Sequence, residues 1–137
     1  MDGNIQKRNR RTGKAGIGHS SRRADGALGE DLALKFLTAK GYALVERNYC
    51  IRGGELDLIM GKNGILIFAE VKMRRSDAFG HPAEAIGVRK QIKLLRAIRT
   101  YLACRKPRSP WRCDLLVIRF TSPRRAQITH YKNIFSD

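Results

Sequence analysis

The sequence is poor in several features that define large classes of proteins. It has only three cysteines (Cys50, Cys104 and Cys113) and no CxxC pair, which favours a reducing compartment and argues against structural zinc. The longest apolar runs, such as 65–69 and 115–118, are far shorter than the roughly 18 residues that a membrane span requires. The N-terminal segment is basic and contains no apolar stretch, so no secretory signal is expected. We therefore expect a cytoplasmic protein without a membrane partner.

Acidic residues are also scarce relative to basic ones. Among 137 residues, 12 Asp and Glu stand against 28 Lys and Arg, which gives a net charge of +16. Such a field attracts polyanions, and Lys and Arg gain affinity for nucleic acid by releasing counterions from phosphates. The composition therefore predicts nucleic acid as the leading candidate partner, but it says nothing about chemistry.

Hydrophobic periodicity divides the chain into an arm and one domain. Residues 1–23 carry seven basic residues and one Asp with few apolar ones, and they predict a disordered basic arm. Residues 24–137 predict a single folded domain in the order αβββαββ, an α/β fold with a mixed sheet. Helices are expected over 24–40 and 88–104, and strands over 43–50, 55–60, 65–73, 112–120 and 126–131. The apolar stripe expected to be buried on the second helix consists of Val88, Ile92, Leu95, Ile98 and Leu102.

Four acids stand among apolar residues within these predicted elements: Glu30, Glu55, Asp57 and Glu70. On a helical wheel Glu30 lies on the wide apolar side of the first helix. A carboxylate in such surroundings needs a partner, because burying it alone costs several kcal/mol.

The Asn63-Gly64 pair predicts a tight hairpin between the second and third strands. With these two residues as the turn, Asp57 stands opposite Glu70, whereas a four-residue loop would make the two residues diagonal neighbours on the same face. Glu55, Asp57, Glu70 and Lys72 then project from the same face of the sheet, because side chains alternate along a strand.

Two carboxylates directly opposite each other destabilise a sheet unless a proton or a cation lies between them. Oxygen ligands suit a hard ion, so Mg²⁺ or Mn²⁺ is the expected cofactor. Lys72 beside such an ion could hold the attacking water or offset charge in a phosphoryl transition state. Glu55 either joins this cluster or forms an ion pair with Lys72. The alternative is a structural network of hydrogen bonds that holds the hairpin together.

The same residues resemble a known signature. Asp57, twelve further residues and then Glu70-Val71-Lys72 match the PD-(D/E)XK nuclease motif. The wider pattern resembles the YraN family of uncharacterised bacterial proteins, from about residue 24 to residue 135. It includes 29–33 (GEDLA), 48–49 (NY), 54–59 (GELDLI), 68–72 (FAEVK), Phe79-Gly80 with Pro82, Lys90, Asp114 and 128–131 (ITHY). The chain departs from the family pattern at Cys50, where Arg is expected, and at Met73, where Thr is expected.

The resemblance implies a restriction-endonuclease-like αβββαβ core with a mixed central sheet flanked by helices, distantly similar to archaeal Holliday junction resolvases. It implies a metal-dependent DNA endonuclease, structure-selective for junctions or branches, acting in repair or recombination. It also implies a homodimer, since junctions offer paired strands. The implied catalytic residues are Glu30, Asp57, Glu70 and Lys72, and the implied metal ligands are Glu30, Asp57, Glu70 and Val71.

Nucleic-acid contacts are expected from basic residues around this cluster: Arg22, Arg23, Arg74, Arg75, Arg89, Lys93 and Arg96. Of these, Arg89, Lys93 and Arg96 share a narrow arc of the second helix. Two functions therefore remain open, a metal-dependent nuclease and a nonenzymatic nucleic-acid-binding protein that keeps a nuclease-like fold.

Overall fold

A computed structural model of the protein describes residues 26–74 and 86–135. Helix α1 covers residues 26–39. The later elements are strands β1 (Ala43–Ile51), β2 (Gly54–Lys62) and β3 (Ile65–Arg74), helix α2 (Val88–Arg105), and strands β4 (Trp111–Ser122) and β5 (Arg125–Tyr131). The predicted order αβββαββ is confirmed. The arm predicted over residues 1–23 and its boundary with the domain lie outside the described residues. Neither helix in the described ranges is long and apolar enough to cross a membrane.

The five strands form one mixed sheet in the order β1-β2-β3-β4-β5. Neighbouring strands are antiparallel except β3 and β4, which are parallel. Parallel strands need a crossover connection, and the chain segment that contains α2 supplies it. The mixed central sheet predicted from the sequence is therefore confirmed.

The β2–β3 hairpin has the predicted register. Asn63 and Gly64 both have positive φ, 51° and 77°, as a two-residue hairpin turn of the primed type requires. Lys62 pairs with Ile65, and the pairing keeps the same offset as far as Leu58 and Ala69, one residue short of Asp57 and Glu70. A shift of one residue would have sent every side chain to the opposite face, so this register determines which acids share a face.

The sheet carries a separate hydrophobic core on each face. On one face, Ala33 and Leu37 of α1 pack with alternate strand residues that include Leu58, Ile67 and Leu116. On the other face, buried residues of α2 pack with the intervening strand residues, which include Ile59, Phe68 and Leu115. Strands β3 and β4 are therefore covered on both sides, which explains their nearly continuous apolar sequences.

The buried face of α2 agrees with the prediction only in part, since Ile98 is buried and Leu102 packs against the core as expected. The residues that it buries are Leu94, Ala97, Ile98 and Tyr101. Val88 and Ile92, which were expected in the core, are 72% and 53% exposed. The helix is thus rotated by roughly 100° from the predicted orientation. An apolar stripe alone could not reveal this, because α2 has apolar residues on more than one side.

Candidate metal and nucleic-acid site

The predicted acidic residues meet where strands β2 and β3 separate. The paired register of the two strands ends at Leu58 and Ala69. Beyond that pair, the backbone N–H of Val71 donates to Oδ2 of Asp57 at 2.9 Å. The Asp57 side chain thus accepts a hydrogen bond from the backbone of β3. This bond positions the Asp57 carboxylate against the strand that carries Glu70.

Glu70 is almost completely enclosed, with 2% of its surface exposed. Its Oε1 lies 3.4 Å from Nζ of Lys90 and 3.7 Å from Nζ of Lys72. Its other oxygen, Oε2, is buried and accepts no hydrogen bond from a neighbouring N–H or hydroxyl group, although the Glu70 carboxyl can share a proton with that of Asp57. A buried carboxylate oxygen without such a donor is costly, so this atom marks a position where a further group would be stabilising.

Burial is the main cause of the altered acidity at this site. It raises the pKa of Glu70 from 4.5 to about 7, with help from the negative charge of Asp57, while Lys90 and Lys72 act in the opposite direction. Burial also raises the pKa of Asp57, although the N–H of Val71 partly offsets this effect. Two neighbouring carboxyl groups with raised pKa values are typical of functional sites, although structural networks also produce them.

Helix α1 brings Glu30 to the same region. The preceding residue, Gly29, is buried against Met73 at the end of β3, and a Cβ at Gly29 would lie only 2.6 Å from Sδ of Met73. The missing side chain therefore allows α1 to approach β3 closely at this point. Burial and the charge of Asp57 raise the pKa of Glu30, whereas Arg47 lowers it.

Glu55 is exposed and does not form the ion pair with Lys72 that was one of its two predicted roles. The thiol Sγ of Cys50 lies 3.9 Å from Oε2 of Glu55, while the ammonium group of Lys72 lies beside Glu70. The charge of Glu55 nevertheless raises the pKa of Asp57. Glu55 is thus an outer member of the acidic cluster.

The acidic residues of this site offer oxygen donors, the kind of ligand that a hard divalent cation takes. Across residues 26–74 and 86–135, no three His, Cys, Asp or Glu side chains are grouped closely enough to hold a metal ion. Mg²⁺, however, usually keeps several waters and uses only one or two protein carboxylates. Asp57 and Glu70 meet that requirement, and Oε2 of Glu70 is an oxygen donor of the right kind. Ligation by Glu30 and by Val71 stays a prediction.

The sequence of this chain is similar to those of a known protein family. The sequence model described as "Uncharacterised protein family UPF0102" matches residues 29–118. The chain belongs to this family. A UPF0102 protein of Nitrosomonas europaea is 42% identical over 112 residues, which cover 82% of this chain and 93% of the relative. A UPF0102 protein of Alkaliphilus oremlandii is 37% identical over 113 residues, which cover 80% of this chain and 96% of the relative.

In this UPF0102 chain, the sequence-based prediction of the site missed Lys90. Helix α2 passes so close to β2 that a Cβ at Gly54 would lie 2.9 Å from the carbonyl oxygen of Lys93. This close packing brings Lys90 to Glu70. The position of Lys90 could have been predicted from its spacing to Leu94 and Tyr101, which follow four and eleven residues later. These intervals place all three residues on the same side of a helix.

The predicted nucleic-acid residues fall into three groups. Arg89, Lys93 and Arg96 are exposed on α2, as expected. Arg74 ends β3 and is half-buried, and its guanidinium donates to the carbonyl oxygen of Met73 at 3.1 Å. The other three residues, Arg22, Arg23 and Arg75, lie outside the described ranges, as do Phe79, Gly80 and Pro82.

A second buried charge lies on the α1 side of the sheet. Asp114 is fully enclosed, and it accepts hydrogen bonds from the Arg112 guanidinium at 2.9 and 3.2 Å and from the backbone N–H of Asn133 at 2.9 Å. Nε2 of His130 lies 2.8 Å from Oδ2 of Asp114. Burial tends to raise the pKa of Asp114, but these bonds outweigh it and hold the pKa below its ordinary value. The cluster ties β4 to β5 and to the segment that follows β5, which is a structural role.

Proposed function

We propose that this UPF0102 protein is a divalent-metal-dependent nuclease that hydrolyses phosphodiester bonds in DNA. The observation that carries the proposal is the buried Glu70 carboxylate, whose Oε2 accepts no N–H or hydroxyl donor and which is surrounded by Asp57, Lys72 and Lys90. Metal-dependent hydrolysis of a phosphodiester uses carboxylates to hold the ion and a lysine beside the reacting phosphate. A strongly basic protein surface would hold the DNA.

Each residue of the cluster has a distinct part in this proposal. Asp57 and Glu70 would hold Mg²⁺ or Mn²⁺, with Glu30 and the backbone of Val71 as further ligands. The bound ion would supply Lewis acidity and lower the pKa of its water. Lys72 would orient the attacking water or offset the negative charge that develops at the phosphate. Lys90 would balance the charge of Glu70 while the ion is absent.

The substrate class follows from charge and from the family resemblance. The net charge of +16 and the exposed basic residues of α2 favour a polyanion such as DNA. The similarity to archaeal resolvases favours junction or branched DNA as the substrate. It also suggests a role in repair or recombination and a homodimeric protein. A cytoplasmic location agrees with these roles and stays a prediction, as does the homodimer.

The direct test is to incubate the purified full-length protein with single-stranded, duplex and branched DNA of matched length. Each reaction contains Mg²⁺, Mn²⁺ or a chelator. We expect ion-dependent cleavage that is lost in Glu70→Gln, a substitution that keeps the shape of the side chain and removes its charge. Cleavage that persists in Glu70→Gln would indicate a contaminating nuclease.

A second function is supported by the ion pairs of Glu70. Because Lys72 and Lys90 already balance its charge, the cluster could serve as a structural network in a nonenzymatic nucleic-acid-binding protein. In that case the wild type and Glu70→Gln would bind DNA equally well. Neither would cleave any substrate of the panel, and neither would respond to metal.

A further inference from the structure

An open groove adjoins the acidic cluster between α2 and the β1–β2 turn. Its volume is about 320 Å³. We call it the lysine groove, and its lining includes Lys90, Lys93 and Leu94 from α2 and Cys50, Gly54 and Glu55 from the β1–β2 hairpin.

The groove and the acidic cluster share a side chain. Lys90 lines the groove and also places its Nζ 3.4 Å from Oε1 of Glu70. A molecule in the groove would therefore lie next to the group that we propose as a metal ligand. Glu55, which also lines the groove, influences the pKa of Asp57 and so connects the two sites a second time.

The lining determines what kind of molecule the groove accepts. Lys90 and Lys93 can contact a phosphate, Glu55 can accept hydrogen bonds from a base, and the half-buried Ile51, which also lines the groove, offers an apolar surface. This mixture matches a nucleotide better than a purely apolar or purely anionic ligand. Ligand pockets usually measure about 300–1,000 Å³. The lysine groove is at the lower end of that range, so a single nucleotide is the largest DNA unit that it can enclose.

We infer that the lysine groove binds one unpaired DNA nucleotide next to the phosphodiester that is cleaved. This inference rests on the proposed nuclease function and narrows its substrate class to DNA with unpaired nucleotides. A base in an intact duplex is stacked and paired, and extruding it costs a few kcal/mol. A nucleotide at a branch, a gap or a single-stranded end avoids most of that cost and enters the groove more easily.

The cysteines of the chain provide a direct test that does not depend on cleavage. Cys50 lines the groove and is exposed, Cys104 is exposed on α2 outside the groove, and Cys113 is buried. Cys104→Ser leaves Cys50 as the accessible thiol, and Cys50→Ser leaves Cys104 as the matched control. The rate of alkylation by a maleimide is measured with a chelator present, and DNA occupancy is followed by fluorescence anisotropy.

A single-stranded oligonucleotide at ten times its Kd should slow alkylation of Cys50 by about tenfold, because the thiol then reacts in the unbound fraction only. Cys104 should be protected much less. A duplex of the same sequence and at the same occupancy should leave Cys50 reactive. Equal reactivity of Cys50 in the free and the single-strand-bound protein would overturn the inference, as would equal protection by the duplex.

A charge reversal gives an independent measurement. Lys93→Glu should weaken binding of the single strand more than binding of the duplex. Arg99→Glu, on the same helix but outside the groove, should weaken both to a similar degree. Equal effects of Lys93→Glu on both DNA forms would contradict the inference. If Cys50 is protected as expected but no DNA is ever cleaved, the groove is confirmed as a binding site and the nuclease proposal fails separately.

Discussion

The ammonium group of Lys90 lies 3.4 Å from Oε1 of Glu70, closer than the 3.7 Å that separates Lys72 from the same oxygen. Lys72 belongs to the same strand as Glu70, whereas Lys90 comes from the helix that covers that strand. The better-placed positive charge at the buried carboxylate is thus supplied by a different element. This contact connects the packing of α2 with the chemistry of the acidic cluster.

We expect Lys90→Met to destabilise the metal-free protein by roughly 1–2 kcal/mol at pH 8. Breaking a buried ion pair costs more than this, but about a third of the Lys90 side chain is exposed and solvent screens the interaction. Urea denaturation measures the change in the free energy of unfolding. Lys93→Met, an exposed substitution on the same helix, is the control and should cost much less. Equal losses in the two variants would mean that the contact between Lys90 and Glu70 contributes nothing.

The stability of the metal-free protein should increase as the pH falls from about 8 to about 5. The pKa of Glu70 in the folded state is raised from 4.5 to about 7, so the folded protein binds this proton more tightly than the unfolded chain does. The free energy of unfolding therefore decreases as pH rises from about 4.5 to 7, by up to about 3 kcal/mol, and levels off above that range. Asp57, whose pKa is also raised, acts in the same direction. Glu70→Gln should flatten the profile, and an unchanged profile in that variant would assign the effect to other groups.

Millimolar Mg²⁺ or Mn²⁺ should raise the melting temperature of the wild type. An ion that binds only the folded state stabilises it by about 2.7 kcal/mol at a hundredfold excess over Kd. Asp57→Asn should melt at a higher temperature than the wild type without metal, because one of two neighbouring carboxylates is neutralised, and it should lose the metal response. Lys72→Ala should keep the metal response and lose cleavage, since its proposed role is in the transition state. A wild type that ignores both ions, with a less stable Asp57→Asn, would favour the structural-network alternative.

Replacing Arg89, Lys93 and Arg96 together by Glu should abolish DNA binding while changing the melting temperature little. All three side chains are exposed, and exposed substitutions away from special contacts usually alter stability by less than about 0.5 kcal/mol each. Gel-shift titration and thermal unfolding provide the two measurements. A folded triple variant that binds DNA as tightly as the wild type would locate the interface elsewhere on the protein.

Asp114→Ala should lower the free energy of unfolding by about 3–5 kcal/mol, because it leaves the Arg112 charge and the N–H of Asn133 without their buried partner. The pKa of Asp114 is lowered in the folded state, so its stabilising effect is present throughout the neutral range and is lost only in strong acid. Asp31→Ala is a suitable control, since its 3.0 Å ion pair with Arg47 is largely exposed and should contribute less than about 1 kcal/mol. A similar loss in the two variants would argue against a structural role for Asp114.

Much of the acidic cluster was determined by the sequence itself. The Asn63-Gly64 turn sufficed to predict the offset between the two strands, and the observed pairs from Lys62 with Ile65 to Leu58 with Ala69 agree. The strands separate beyond that point, so Asp57 and Glu70 are neighbours but are not paired across the hairpin. Such a prediction succeeds because a two-residue turn fixes the register over the strands that it joins, without help from the rest of the fold. The order of the elements was likewise readable, because each has a clear period or a clear turn at its ends.

Tertiary packing alone decided which side of α2 faces the sheet. The sequence offers two apolar arcs on this helix, one through Val88 and Ile92 and one through Leu94 and Tyr101, and the second is buried. The close approach of α2 to β2 at Gly54 accompanies the buried arc, and this tertiary contact is not visible in the period of a single helix. The contact between Lys90 and Glu70 and the position of the lysine groove follow from that choice. This contact and this groove bring together residues whose separation along the chain does not predict their distance in space. Only the packed core fixes how one element is rotated against another.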